Sequence, residues 1–181
     1  CINLEITEVC NFRCGHCYNP WREETMGVHS LDENKMLSLL NQFKKSGVFH
    51  VIFSGGEPFS KFNLLEFGVR EAIKLNLTVS VNSTLSLATD KKIIRLKNAG
   101  LDHILASWYS LDPDETDKIT ATKRSHQKVI DGIKCAVRNG IRVSVNTICT
   151  NKNIDTIYES GKMVHELGAT QFIAHRVVPP A

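Results

Sequence analysis

The chain has 181 residues, of which 42% are hydrophobic and 23% are charged, a composition that suits one folded domain and excludes a disordered chain. The net charge of +3 comes without a long run of lysine or arginine, so we expect no nucleic-acid partner. No apolar run is long enough to span a bilayer and no secretory signal opens the chain, so we expect no membrane partner and a cytoplasmic location.

Short apolar runs of strand length alternate with helical patterns along the chain. The predicted strands cover residues 2–8, 48–53, 77–81, 103–106, 141–145 and 170–174. A capping box of Ser30 and Glu33 starts the first predicted helix, which Gly47 ends. The later helices cover residues 64–75, 91–99, 127–139 and 154–167, and each ends at Gly or Asn. This order predicts an α/β fold with a parallel sheet, either open or closed into part of a barrel.

The first predicted strand leads into Cys10-Asn11-Phe12-Arg13-Cys14-Gly15-His16-Cys17. Thiolates are soft ligands for iron–sulfur clusters or zinc, and this spacing lets one loop surround a single inorganic centre. Three cysteines are one fewer than a closed zinc site or an ordinary cubane cluster needs, so one metal position is open to a small molecule. A structural zinc site with His16 or Cys1 as fourth ligand, and a redox dithiol of Cys14 and Cys17, are the alternatives.

Polar residues also follow the other predicted strands. They are Gly55-Gly56-Glu57-Pro58, Asn82-Ser83-Thr84, Ser107, Asn146-Thr147 and His175-Arg176. The carboxyl ends of parallel strands meet at one edge of the sheet, so these groups and the cysteine loop are expected on the same rim. Glycines there would let a ligand approach the backbone, and Glu57 could pair with an ammonium group. Taken singly, Asn82, Ser107 and Asn146 could be turn formers, and Arg124 a solvated charge.

The cysteine spacing, together with Gly55-Gly56-Glu57-Pro58 after the second strand, resembles the radical S-adenosylmethionine (radical SAM) enzymes. The resemblance covers the whole chain and implies that residues 1–181 form a partial (β/α)6 barrel, the core domain of that family. It implies that Cys10, Cys14 and Cys17 hold a 4Fe-4S cluster, whose remaining iron is chelated by S-adenosylmethionine. It further implies an electron donor such as flavodoxin or ferredoxin, and a 5′-deoxyadenosyl radical that abstracts hydrogen from a substrate.

The resemblance also implies which residues hold S-adenosylmethionine. Gly55, Gly56 and Glu57 match the loop that binds the methionine amino group, where Glu57 would accept from the ammonium. The other implied contacts are Pro58 in the same loop, Asn82 and Ser83 after the third strand, Ser107 after the fourth, Arg124, and Asn146 on the fifth. His16 stands where the family commonly has an aromatic ring close to the adenine, and a histidine can stack there.

A narrower resemblance concerns the segment from Ser107 to Pro113 and the following Asp117-Lys118-Ile119-Thr120. It is similar to a stretch of radical enzymes that modify ribosomally made peptides, although Trp108 and Thr116 replace a leucine and a histidine there. This implies a peptide substrate and a cysteine-rich C-terminal domain beyond Ala181, in a longer chain. The alternatives are a small-molecule substrate such as a cofactor or tetrapyrrole precursor, and a non-catalytic zinc or iron–sulfur module.

Two cysteines outside the loop carry separate predictions. Cys135 lies opposite the apolar stripe of its predicted helix, so we expect it to face solvent. Cys149 follows the fifth strand on the expected rim. It is either a small apolar filler or the donor of a hydrogen atom to the substrate radical.

Overall fold

The computed structural model describes residues 1–17 and 29–176. The strands are β1 (Ile2–Glu5), β2 (His50–Ser54), β3 (Thr78–Ser83), β4 (His103–Trp108), β5 (Arg142–Cys149) and β6 (Gln171–Arg176). The helices are α1 (Glu33–Lys45), α2 (Phe62–Lys74), α3 (Asp90–Asn98), α4 (Pro113–Thr120), α5 (Ser125–Arg138) and α6 (Ile157–Glu166), with 3₁₀ turns at Pro58–Lys61 and Ile154–Thr156. No helix in these two ranges is long and apolar enough to cross a membrane. The predicted order of strands and helices is confirmed, and α4 is an additional helix.

The six strands form one parallel sheet in which each strand pairs with its neighbours in the sequence. Successive side chains of a strand point to opposite faces. One face carries fully buried apolar residues such as Ile104 and Val143, which are register partners. The other face carries polar residues near the carboxyl ends of the strands, including Ser107 and Asn146, which are also register partners. The α/β fold with a parallel sheet is therefore confirmed.

The predicted helix ends are confirmed by the backbone conformation. Each of the five predicted helices is followed by a residue with positive φ, which ends a helix without strain when that residue is Gly or Asn. These residues are Gly47, Asn76, Gly100, Gly140 and Gly168.

The predicted start of the first helix is wrong by two residues. The N-cap of α1 is Asp32, whose carboxylate accepts a hydrogen bond from the backbone N–H of Lys35 at 2.7 Å. The hydroxyl of Ser30 instead lies 2.7 Å from the hydroxyl of Thr7, and the two residues form an isolated antiparallel bridge. Ser30 therefore makes a long-range contact with Thr7 instead of the capping hydrogen bond that the local pattern predicts.

The prediction that Cys135 faces solvent is also wrong. Its side chain is only 3% exposed, and its Sγ lies 3.5 Å from a carboxylate oxygen of Asp90 at the start of α3. Burial, and then the neighbouring Asp90 carboxylate, raise the pKa of the Cys135 thiol. The helix α5 packs against α3 as well as against the sheet, so its buried face is wider than one apolar stripe.

Candidate active site

The three-cysteine loop is attached to the C-terminal end of α4. The backbone N–H groups of Arg13 and Gly15 donate to the carbonyl oxygens of Thr120 and Ile119, both at 2.9 Å. The side chain of Phe12 is buried in the core. The conformation of the loop therefore depends on a helix that the hydrophobic pattern did not predict.

The three sulfur atoms of the loop are partly exposed and lie in different surroundings. Burial raises the pKa of the Cys10 thiol to about 11, although the backbone N–H of Phe12, 3.4 Å from its Sγ, acts in the opposite direction. The Sγ of Cys14 lies 3.8 Å from the hydroxyl oxygen of Tyr109. Metal binding would displace the protons of these thiols, since the thiolate is the ligand.

Within residues 1–17 and 29–176, no group of three His, Cys, Asp or Glu side chains is placed to hold one metal ion. A 4Fe-4S cluster makes a different demand, because each of three thiolates binds a different iron atom and the sulfurs need not converge on one point. The donor set of three soft thiols in one loop fits that demand.

The glycine loop after β2 packs on the segment that leads to Cys10. The N–H of Gly56 donates to the carbonyl of Thr7 at 2.7 Å, and the N–H of Glu57 donates to the carbonyl of Val9 at 2.8 Å. A Cβ atom at Gly55 would lie 2.3 Å from the Thr7 carbonyl oxygen, and one at Gly56 would lie 2.6 Å from that of Val9. The two glycines are thus required because two backbone segments approach each other closely.

The carboxylate of Glu57 is fully buried and its acceptor sites are occupied. One oxygen accepts from the N–H of Phe59 at 3.0 Å and from the hydroxyl of Ser83 at 2.7 Å. The other accepts from the N–H and the hydroxyl of Thr84, at 2.8 and 2.7 Å. A carboxylate has about four acceptor sites, so none remains for an ammonium group. In this arrangement Glu57 joins the β2 loop to the end of β3, and the geometry gives no support to a direct contact of Glu57 or Ser83 with S-adenosylmethionine.

A cavity of about 290 Å³ opens on the same side as the cysteine loop. Three of the residues implied to hold the cofactor, His16, Ser107 and Asn146, line it. The side chains of Ser107 and Asn146 share one face of the sheet, because they are register partners on β4 and β5. The Oδ1 atom of Asn146 is buried and has no hydrogen-bond partner among the described residues. An orphaned buried acceptor at a cavity wall fits a ligand that brings a hydrogen-bond donor.

Tyr109 connects this cavity to the cysteine loop. It lines the cavity, its ring makes an edge-to-face contact with Phe12 at 6.4 Å between centroids, and the His16 ring lies 6.1 Å away. Burial, and then the neighbouring Cys14, raise the pKa of Tyr109 well above its usual value, so the phenol stays neutral. The segment that resembles peptide-modifying enzymes therefore forms part of the cavity wall. In the sequence, Tyr109 stands out only as part of that segment, and no local pattern indicates its contact with Cys14.

Several implied cofactor contacts lie away from the cavity. Arg124 is exposed, has a left-handed φ of 61°, and borders a separate surface hollow together with Asp117. The backbone N–H of Arg124 donates to the Asp117 carboxylate at 2.6 Å, so this part of the motif caps α5. Pro58 is buried at the start of a 3₁₀ turn. Asn82 pairs with Leu105 inside the sheet and does not line the cavity.

Cys149 also lies outside the cavity. Asn146 and Ile148 line the cavity, whereas Cys149, one position further along β5, lines an open hollow with Thr150 and Ile154. Adjacent residues of a strand point to opposite faces, which accounts for this difference. The placement gives no support to Cys149 as a hydrogen-atom donor.

Comparisons with known proteins show the family of this chain. The model of the Radical SAM superfamily matches residues 4–164. A PqqA peptide cyclase from Gluconobacter oxydans is 31% identical over 172 residues, which are 94% of this chain and 48% of that protein. A GTP 3′,8-cyclase from Klebsiella pneumoniae is 34% identical over 154 residues, which are 81% of this chain and 45% of that protein. The chain thus spans about half the length of the curated relatives it matches.

Solved structures share the fold. SuiB from Streptococcus suis with bound S-adenosylmethionine superposes with a TM-score of 0.81 at 18% identity, covering 99% of this chain and 41% of SuiB. SuiB bound to its precursor peptide SuiA gives a TM-score of 0.80 at 20% identity, covering 97% and 39%. The sheet is accordingly the partial barrel that the resemblance implies. The radical SAM superfamily uses a 4Fe-4S cluster together with S-adenosylmethionine. A family match over most of the chain, joined to the three-cysteine loop, shows that this chain belongs to the radical SAM superfamily.

Proposed function

We propose that this chain is the core of a radical SAM enzyme that modifies a ribosomally made peptide. The observation that carries the proposal is the pairing of three thiols in one loop with an adjacent cavity whose wall holds the orphaned acceptor of Asn146. In this proposal Cys10, Cys14 and Cys17 hold the 4Fe-4S cluster, and the cavity receives S-adenosylmethionine.

The residues of the chain bind and orient these groups. When bound, the cluster and S-adenosylmethionine supply radical chemistry that removes a hydrogen atom from the substrate. The Oδ1 atom of Asn146 would accept a hydrogen bond from a ribose hydroxyl, and the ring of His16 would stack on the adenine. The buried rings of Phe12 and Tyr109 pack against each other, and the hydroxyl of Tyr109 lies beside the sulfur of Cys14.

The peptide substrate is supported by relatives rather than by a contact in this chain. Four of the curated relatives are PqqA peptide cyclases, and SuiB binds a precursor peptide. The relatives named GTP 3′,8-cyclase favour a second candidate, a nucleoside triphosphate substrate. The proposal includes a small reducing protein, flavodoxin or ferredoxin, as electron donor in the cytoplasm, where thiols stay reduced.

The chemistry is tested with the full-length protein under anaerobic conditions. The protein is reconstituted with iron and sulfide, then given S-adenosylmethionine and a strong reductant, and 5′-deoxyadenosine is measured by mass spectrometry. We expect this product in amounts above those of a sample without reductant. A full, reducible cluster that yields no 5′-deoxyadenosine would instead support an electron-transfer or structural module.

The substrate class is tested in the same reaction by adding either candidate precursor peptides or GTP. A peptide whose mass changes only when S-adenosylmethionine and reductant are present would support the peptide assignment. Consumption of GTP, with every peptide unchanged, would support the nucleotide alternative.

Replacement of Asn146 by alanine is expected to weaken S-adenosylmethionine binding by roughly 3- to 10-fold, because one hydrogen bond contributes about 0.5–1.5 kcal/mol. The free energy of unfolding should not fall, since the lost acceptor has no partner in the described part of the ligand-free protein. Binding is measured by equilibrium dialysis on the reconstituted enzyme.

Thr147→Val is the matched control for this prediction. The hydroxyl of Thr147 is also buried and unpaired within residues 1–17 and 29–176, but it lies on the opposite face of β5. The control should bind S-adenosylmethionine as the wild type does. Equal weakening in both variants would remove Asn146 from the binding site.

A further inference from the structure

The hydroxyl of Tyr109 lies beside a sulfur atom that the proposed function assigns to the cluster. Its oxygen is 3.8 Å from the Sγ of Cys14, and the side chain as a whole is 8% exposed. We propose that Tyr109 is a positioning residue that donates an O–H···S hydrogen bond to the cluster-bound thiolate of Cys14 and thereby raises the reduction potential of the cluster.

The direction of this hydrogen bond follows from the chemistry of the ligand. A thiol and a phenol can each donate, but a thiolate bound to iron carries no proton and can only accept. Once Cys14 is a ligand, the phenol is the only one of the two that has a proton to give. The hydroxyl rotates about its C–O bond, so it can aim that proton at the sulfur without moving the ring.

Tyr109 is held in place both at its ring and at its backbone. Its edge-to-face contact with Phe12 joins it to the cysteine loop itself. The backbone carbonyl of Tyr109 accepts a hydrogen bond from the side-chain amide of Asn153 at 3.0 Å. The same amide also donates to the carbonyl of Ile148 at 2.9 Å. The hydroxyl is therefore held near the sulfur by β5 and by the loop, and little conformational freedom is lost when the hydrogen bond forms.

Hydrogen bonds to sulfur are one of the means by which proteins set cluster potentials. A donor near a sulfur stabilises the more negative, reduced cluster and so raises the potential. Cys10 has a donor of this kind in the backbone N–H of Phe12, at 3.4 Å from its Sγ. Side-chain substitution cannot remove that N–H, whereas it can remove the hydroxyl of Tyr109, which makes Tyr109 the donor whose effect can be measured.

The test compares Tyr109→Phe with Tyr158→Phe in the full-length, reconstituted protein. Both substitutions remove one phenol oxygen, and Tyr158 is 72% exposed on α6. The potential is read by titrating the reduced cluster signal in electron paramagnetic resonance. For Tyr109→Phe we expect a more negative potential, equivalent to a roughly 3- to 10-fold less favourable one-electron reduction, where tenfold corresponds to about 59 mV. The iron content of both variants and the potential of Tyr158→Phe should equal those of the wild type.

The outcomes separate this inference from the proposed function on which it rests. A wild-type protein that takes up no cluster would overturn the proposed function, and the inference with it. A wild type and a Tyr109→Phe variant with full clusters and equal potentials would overturn the inference alone. If Tyr109→Phe takes up no cluster, 3-fluorotyrosine is placed at position 109, because its more acidic phenol is a stronger donor. The expected shift is then positive, and an unchanged potential would overturn the inference.

Discussion

Replacement of Glu57 by alanine is expected to lower the free energy of unfolding by about 3–5 kcal/mol, because its carboxylate is the shared acceptor of four buried hydrogen bonds. The donors are the N–H groups of Phe59 and Thr84 and the hydroxyls of Ser83 and Thr84. Without the carboxylate they stay buried without a partner, and the loop after β2 loses its connection to β3. Urea denaturation of the cluster-free protein measures the change.

Two variants make this prediction specific. Glu57→Gln keeps the size of the side chain but places an NH₂ group against donors, so it should also lose stability. Glu159→Ala removes an exposed carboxylate from α6 and should change the free energy of unfolding by no more than about 0.5 kcal/mol. A Glu57→Ala protein with wild-type stability but weakened S-adenosylmethionine binding would contradict this structural role and support the direct cofactor contact that the resemblance implies.

Replacement of Cys14 by alanine is expected to abolish the cluster and, with it, the formation of 5′-deoxyadenosine. Only two thiols of the loop would remain, and two are too few to retain a cubane cluster that already has one iron without a protein ligand. Iron and acid-labile sulfide should both fall to background, and the visible absorbance should be lost. The measurements use the reconstituted full-length protein.

Cys1→Ala is the matched control for the loss of a thiol. Cys1 is exposed, and it is one of the two residues, with His16, that the zinc alternative would use as a fourth ligand. The control should keep wild-type iron and wild-type cleavage. Normal iron and cleavage in Cys14→Ala would refute the ligand assignment, and loss in both variants would indicate a site with four cysteines.

The fold was predictable from the sequence because its signals are local. Apolar runs of strand length and glycines with positive φ after helices act over a few residues, and neither depends on distant partners. The convergence of His16, Ser107 and Asn146 was predictable for a related reason. The carboxyl ends of parallel strands lie on one edge whatever the details of packing, so a loop and two strand ends are brought together by topology alone.

The parts that sequence reasoning missed depend on long-range partners. A glutamate after a glycine pair gives the same local pattern whether or not its carboxylate bonds to the next strand, so the hydrogen bonds of Glu57 with Ser83 and Thr84 could not be predicted. Cys135 lies on the polar side of α5, but α3 packs against that side and buries the thiol. Arg124 stands near the motif in sequence, yet its backbone N–H donates to the Asp117 carboxylate at the start of α5 and its side chain is exposed.

The attachment of the cysteine loop to α4 has a consequence for biosynthesis. Arg13 and Gly15 bond to carbonyl groups of Thr120 and Ile119, which are synthesised over a hundred residues later. A nascent chain that has passed Cys17 therefore carries all three cysteines of the loop but not the helix end that gives the loop its shape. If the loop holds the cluster as proposed, we therefore expect the complete site to form only after Thr120 has left the ribosome, which would make cluster assembly a late step of maturation.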